Sequence, residues 1–269
     1  MNNEDINIEK ELFCLKYELQ AFSDAVLFSK AERWVKGFLY KSTEDHHIDR
    51  YLIATKYVEN KLVLDIACGS GYGTYIIASK GKANKVIGVD LNEDAIQYGN
   101  YKYKNDSVER LVGDATNFKY KNKFDVVVSF ETIEHIKNYN LFIENLYNNL
   151  NYGGLLIIST PINKITTTKL INPYHEIEWS FFDFHDLFLD KFKIKDIYIQ
   201  KIELEDYDFF NLTFKQRLIN FIYKKIKGKL KYVKKPKRIF GKEIELFENQ
   251  YNMSKCISGY QILILEKML

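Results

Sequence analysis

Two acids and a histidine close the run Ser129-Phe130-Glu131-Thr132-Ile133-Glu134-His135, a grouping whose residue types suit proton removal from an acceptor. An imidazole with a free pKa near 6.5 takes up a proton at neutral pH. His135 is therefore the leading base, with Glu134 beside it. The plainer reading is a histidine that packs against or caps the next helix. Upstream, Val63 to Gly73 reads VLDIACGSGYG, with glycines at 69, 71 and 73 directly after an apolar run. Such a turn lets backbone approach a ligand closely, although tight turns into helices use the same residues.

Three acids fall where apolar runs end. Asp65 can pair with a ligand ammonium or brace the glycine turn. Asp90, closing the run before Leu91, can accept both hydroxyls of a ribose, or serve as an acid at a helix start. Asp114, followed by Ala115, can read an adenine edge through its side chain and the next backbone amide, or simply form a turn. Three separate run ends thus converge on one nucleoside. Cys68, inside the turn, reads as a small packing residue.

Positioning these groups requires parallel strands with crossovers. β-rich runs at Leu62–Ile66, Lys85–Val89, Val108–Val112, Phe124–Ser129 and Leu155–Thr160 alternate with helical stretches near 73–80, 93–104 and 138–150. That alternation implies a parallel sheet covered on both faces. Further strands are expected at Phe192–Gln200 and Tyr260–Glu266. Residues 4–39 read as helix from the recurrence of Leu12, Leu15, Leu19, Phe22, Val26 and Leu27, a segment able to cap a cleft or an interface.

The chain resembles the class I S-adenosylmethionine-dependent methyltransferases in VLDIACGSGYG, VIGVD, LVGDA and FDVVVSFETIEHI, over roughly residues 45 to 200. The resemblance implies a Rossmann-like α/β fold with a largely parallel seven-stranded sheet and helices on both faces. It implies that Asp65, Ala67, Gly69 and Gly71 hold the methionine end of the cofactor. Asp90 with Leu91 would hold the ribose and Asp114 with Ala115 the adenine. Phe130 and Glu131 are counted with them. The segment His46-His47-Ile48-Asp49-Arg50-Tyr51 resembles the piece that closes over the cofactor in some of these enzymes, so Arg50 and Tyr51 are candidates for the carboxylate and sulfonium surroundings.

After the fifth strand, Ser159-Thr160-Pro161 and the loop Asn172-Pro173-Tyr174-His175-Glu176-Ile177-Glu178-Trp179 resemble sugar O-methyltransferases of surface-polysaccharide clusters. That resemblance makes Asn172, His175 and Glu178 candidates for acceptor binding, with His175 the alternative base. It implies S-adenosylmethionine as cofactor, S-adenosylhomocysteine as product, and a sugar hydroxyl as acceptor, on a nucleotide-activated sugar such as a GDP-heptose. A lipid quinone or small amine is the alternative acceptor, and an NAD- or nucleotide-binding protein the alternative class. Phe-Glu-Thr-Ile stands where base-modifying enzymes carry Asn/Asp-Pro-Pro-aromatic, so no nucleic-acid partner is expected.

The domain reading is an N-terminal helical extension at 1–45, the cofactor-binding core at 46–201, a basic insertion at 202–256 and a final core strand at 257–269. No acidic residue occurs between Phe209 and Gly241, where Lys215, Arg217 and further lysines crowd together. Lys215 and Arg217 are candidates for a nucleotide-sugar diphosphate. An apolar stripe at Phe214, Leu218, Phe221, Ile222 and Ile226 also suits peripheral contact with an anionic membrane, and a solvated lysine face is the third reading.

Bulk properties set the remaining bounds. At 269 residues the chain can bury a substantial core. Its net charge of +3 says little about partners. Three cysteines, without C-x-x-C spacing, suggest neither disulfides nor a zinc site. No metal is expected, because Glu131, Glu134 and His135 are loosely spaced as ligands. The N-terminus mixes acids and lysines where a secretory signal has a basic start and an apolar run, and apolar runs fall short of the roughly 20 residues that cross a bilayer. A cytoplasmic protein is expected, with a homodimer as one possible assembly.

Overall fold

Runs rich in Val, Ile and Leu become strands because both of their faces can be covered. A computed structural model of the chain describes residues 3–27, 35, 41–170, 172–200, 202–203, 239–240, 245–246 and 259–269. In it β1 (Leu62–Ile66), β2 (Lys85–Asp90), β3 (Val108–Val112), β4 (Phe124–Phe130) and β5 (Leu150–Asn163) pair in parallel. Two-residue β6 (Trp179–Ser180) pairs in parallel with the end of β5, at Ile162 and Asn163. β7 (Phe192–Gln200) and β11 (Tyr260–Lys267) complete the sheet, with β11 inserted antiparallel between β5 and β7. Short β10 (Glu245–Leu246) pairs with β7, while β8 (Ile202–Glu203) and β9 (Ile239–Phe240) pair with each other. The order β10-β7-β11-β5-β4-β1-β2-β3 confirms the Rossmann-like methyltransferase fold expected from the sequence.

Alternation along the strands builds two cores. Val63, Val126, Val128, Ile157, Ile262 and Ile264 face one side of the sheet, while Leu64, Val127, Leu156, Ile158, Leu263 and Leu265 face the other. The first side is covered by α2 (Lys41–Ala54) and α3 (Tyr72–Ser79), through Tyr51, Ala54, Ile76 and Ile77. The second is covered by α5 (Tyr139–Asn149) and α6 (Phe181–Asp186), through Phe142, Leu146 and Phe184. Each such aliphatic or phenyl side chain contributes about 1.5–3 kcal/mol on burial, so the strand ends that carry polar groups sit on a rigid frame. α4 (Glu93–Lys102) starts at Asn92, whose side chain accepts from Ala95 N at 2.8 Å.

Two local expectations differ. α1 covers Asn3–Leu27 and residue 35 is not helical, while residues 28–34 and 36–40 of the expected 4–39 helix lie outside the described residues. The leucine stripe of α1 is not its packed face. Leu12 and Leu19 are 59% and 55% exposed, whereas Tyr17 and Ala21 are buried against Ala95 and Tyr98 of α4. Tyr17 stacks on Tyr98 at 4.6 Å between ring centroids, a fit that small and aromatic residues make more closely than leucine. Finally, β5 begins at Leu150 instead of Leu155, with its register shifting between Phe124 and Val126 where Gly153 takes φ +71°. The Arg50-Tyr51 segment lies within α2, which runs across residue 46. Lys215, Arg217 and the apolar stripe of the basic insertion lie outside the described residues.

Candidate active site

The glycine turn between β1 and α3 is held open by backbone geometry. Ala67, Gly69 and Gly71 have φ of 60°, 55° and 81°. A side chain at Gly69 would meet nothing within 4 Å, so open space lies over that residue, while one at Gly71 would come within 2.5 Å of Arg110 Nε. No side chain caps the first turn of α3, which leaves its amide donors for a ligand.

Two side chains fasten the turn. Asp90, ending β2, accepts from Gly69 N at 2.8 Å on one oxygen and from Asn92 N at 2.9 Å on the other. It braces the loop and the entry to α4 together, and each oxygen retains a lone pair for a hydroxyl. From β3, Arg110 bonds to Gly71 O at 3.0 Å, Tyr103 O at 3.0 Å and Thr74 Oγ1 at 3.1 Å.

Beneath the turn, Asp65 is fully buried and accepts from Tyr51 Oη at 3.1 Å. Burial raises its carboxyl to about 7, while the Tyr51 hydrogen bond and the Arg110 charge pull it down. Tyr51 meets Tyr72 and Phe130 edge-on at 5.3 and 4.9 Å, and all three rings line the pocket. Arg50 is also fully buried: it donates to Gln200 Oε1 at 2.7 Å and lies over the Tyr260 ring at 4.4 Å, and its Nε stands 3.9 Å from Glu131. Among the described residues its Nε and Nη2 have no hydrogen-bond acceptor.

A pocket of about 650 Å³ opens over these elements, within the size range of sites for small molecules. Of the residues singled out in the sequence, Tyr51, Ala67, Gly69, Asp90, Leu91, Phe130, Glu131, Glu134, His135, Asn172 and His175 line it. Arg50, Asp65, Gly71, Asp114, Ala115 and Glu178 do not. Asp114 spends one oxygen on the amide and hydroxyl of Thr116, both at 2.8 Å, and Ala115 O accepts from Asn145 Nδ2 at 2.8 Å.

At the other end, β4 runs into a one-turn helix at Ile133–His135. Glu131 has φ 51°, a conformation costly for a residue with a Cβ. It accepts from Ser159 Oγ at 2.6 Å. Glu134 is buried and accepts from Thr160 Oγ1 at 3.0 Å; burial first, and then the Glu131 charge, hold its carboxyl well above the usual range. The loop at 172–178 folds back onto this turn, since Glu176 N and Ile177 N both bond to Glu134 O, at 2.7 and 3.3 Å. His175 thereby meets His135 edge-on at 4.9 Å between centroids. Glu178 accepts from His175 Nδ1 at 3.0 Å and from Asn163 Nδ2 at 2.6 Å, behind the pocket wall.

Several lining residues escaped the sequence reading. Tyr17, Tyr72 and Tyr260 reach the pocket from α1, α3 and the start of β11, and His47 joins them from the α2 segment expected to close over the cofactor. Burial and the neighbouring Arg50 charge hold His47 well below the ordinary imidazole value. Only the fold brings Tyr260 to Arg50. Arg110 carries a faint signal, as a cation at the centre of a short strand whose other residues are Glu109 and three apolar side chains.

A glycine turn after the first strand, an acid ending the second and an open crevice at the carboxyl ends of parallel strands define a nucleoside-binding α/β protein. The sequence pattern of the family described as Methyltransferase domain matches residues 58–201, and the chain belongs to that family. Its cofactor is S-adenosylmethionine; the open space at Gly69 and the Asp90 carboxylate, which keeps lone pairs after bonding Gly69 N and Asn92 N, fit it.

A probable S-adenosylmethionine-dependent methyltransferase of Mycobacterium tuberculosis is 34% identical over 133 residues, 48% of this chain and 47% of that protein. A malonyl-[acyl-carrier protein] O-methyltransferase of Priestia megaterium is 26% identical over 115 residues, 43% of this chain and 42% of that protein. The chain thus spans about half the length of the curated relatives it matches. Phosphoethanolamine N-methyltransferase 2 of Haemonchus contortus, solved with S-adenosyl-L-methionine, shares the fold with a TM-score of 0.55 at 16% identity, over 94% of this chain and 57% of that one. Among the described residues no helix is long and apolar enough to cross a membrane.

Proposed function

We propose that the chain transfers the methyl group of S-adenosylmethionine to a sugar hydroxyl, on a nucleotide-activated sugar such as a GDP-heptose, in the building of a capsule or other surface polysaccharide. The observation that carries this reading is that Gly69 and Asp90, at the cofactor end, line one pocket with Glu134, His135, Asn172 and His175. An acceptor end made of a carboxyl, two imidazoles and an amide suits a polyol, which needs many hydrogen-bond partners. The cofactor supplies a methyl carbon made electrophilic by its sulfonium. The chain's task is to align the acceptor and exclude water.

His135 sets Nδ1 against Tyr174 O at 3.0 Å. A carbonyl only accepts, so Nδ1 carries the hydrogen and Nε2 the lone pair. His135 takes the hydroxyl proton on Nε2, and such assistance contributes about 10²–10⁴-fold. Glu134 and His175 flank it, Asn172 and Glu178 fix the loop around the acceptor, and Lys215 and Arg217 are assigned to the diphosphate on charge alone.

A small amine or lipid quinone is the second reading, favoured by relatives whose names include N-methyltransferases. Incubation with methyl-labelled S-adenosylmethionine and a panel of nucleotide sugars, amines and quinones tests both. Label in a sugar ether supports the first reading; label only in an amine or quinone replaces it with the second.

A further inference from the structure

We infer that Glu134, His135 and His175 together form a seat for one divalent transition-metal ion at the acceptor end of the pocket. The inference deepens the proposed function and rests on it. In the sequence, Glu131, Glu134 and His135 are too loosely spaced to suggest a metal; the fold puts His175, from a different loop, into that set. Among the described residues, the ligand atoms of Glu134, His135 and His175 lie within 4.8 Å of one another.

Both imidazoles are oriented as ligands are. A metal-binding histidine ordinarily donates its other ring hydrogen to a carbonyl or carboxylate, which fixes the tautomer. His135 Nδ1 has Tyr174 O at 3.0 Å, and His175 Nδ1 has Glu178 Oε1 at 3.0 Å. Each Nε2 therefore carries a lone pair. That of His175 accepts from Asn172 Nδ2 at 2.9 Å, a neutral partner that a cation displaces. Thr160 steadies Glu134 through its Oε2, and the two amides bonded to Glu134 O tie the His175 loop to the turn bearing the other ligands.

Two nitrogens and one carboxylate oxygen favour Mn²⁺, Fe²⁺, Co²⁺ or Zn²⁺ over the oxygen-seeking Ca²⁺ and Mg²⁺. Metal–ligand distances of about 2.0–2.2 Å require the cluster to draw in by roughly half an ångström on loading. Three protein ligands would leave coordination positions for the acceptor hydroxyl, whose proton a bound ion would loosen. Glu131, which also lines the pocket, would then take that proton while the oxygen lone pair forms the new C–O bond and the electrons of the broken C–S bond stay on sulfur. With the seat filled both imidazoles would be ligands; with it empty, His135 keeps the role of base.

The test uses the full, tag-free chain, stripped with chelator and titrated with Co²⁺ by visible absorption and native mass spectrometry. One Co²⁺ per chain is expected, with binding lost in His175→Ala and weakened about 10–100-fold in Glu178→Ala, which spares the ligands themselves. Calorimetry with S-adenosylhomocysteine reports the cofactor end separately and should give the same affinity in all three proteins. No Co²⁺ bound by the unsubstituted chain, or equal Co²⁺ binding in His175→Ala, would overturn the inference. Loss of S-adenosylhomocysteine binding by the unsubstituted chain would instead count against the cofactor reading on which the proposed function stands.

Discussion

The Tyr51 hydroxyl donates to Asp65 at 3.1 Å beneath the glycine turn, so the one fully buried acid of the cofactor end is held by the helix that precedes the sheet. Burial places the Asp65 carboxyl at about 7, above the 3.8 of an exposed aspartate. A raised folded-state value favours the protonated form in the folded protein. The stability this contributes is fully present below about pH 4 and is lost as the pH climbs through about 7. Chemical denaturation of the cofactor-free protein should show stability falling across that window, and Asp65→Asn should flatten the fall.

Cofactor binding should run the opposite way. S-adenosylmethionine carries one more positive charge than S-adenosylhomocysteine and favours the ionised Asp65. Its affinity should tighten about tenfold between pH 6 and pH 8 by linkage, with a smaller change for S-adenosylhomocysteine. Titration calorimetry in buffers of different ionisation enthalpy measures the proton released. Tyr51→Phe removes a hydrogen bond that lowers the Asp65 value, so its midpoint should move to higher pH.

Asp90 braces the turn, and its remaining lone pairs suit a ribose hydroxyl. Hydrogen bonds to a charged group are worth about 1.5–3 kcal/mol each, so Asp90→Ala should weaken S-adenosylhomocysteine binding about 10–100-fold or more. The loss should appear in kcat/KM with kcat much less affected, because a contact to the ribose is the same in ground and transition state.

His135→Ala should lower kcat about 10²–10⁴-fold while S-adenosylhomocysteine affinity is kept. Single-turnover transfer assays read the first, calorimetry the second. Unchanged turnover would move the acceptor-activating role to His175.

The parallel order of β1 to β5 and the glycine turn were legible in the sequence because local signals set them: alternating apolar runs, and glycines at residues that take positive φ. Ala67 shows the limit of such signals. It holds φ 60° without being glycine, and nothing in its neighbourhood of sequence announces that. Tyr260, Arg110 and the meeting of His135 with His175 depend on strands and loops far apart in the chain, so only the assembled sheet reveals them. The leucine stripe of α1 announced the helix but not its packed face, which is the one bearing Tyr17 against α4.

Ala67 also yields a stability prediction. A left-handed conformation costs a residue with a Cβ roughly 1–2 kcal/mol, offset in part by the backbone entropy of glycine. Ala67→Gly should therefore raise the denaturation midpoint modestly, by about 0.5–1 kcal/mol in stability.

The account stands on the cofactor lying from the Gly69 turn to Asp90 with its sulfur toward Glu134, His135 and His175. A crystal structure with bound S-adenosylhomocysteine tests this directly. The ribose hydroxyls should lie on the Asp90 carboxylate and the sulfur should face the two imidazoles across the pocket. A ligand bound elsewhere, or one whose sulfur points away from that cluster, would contradict it.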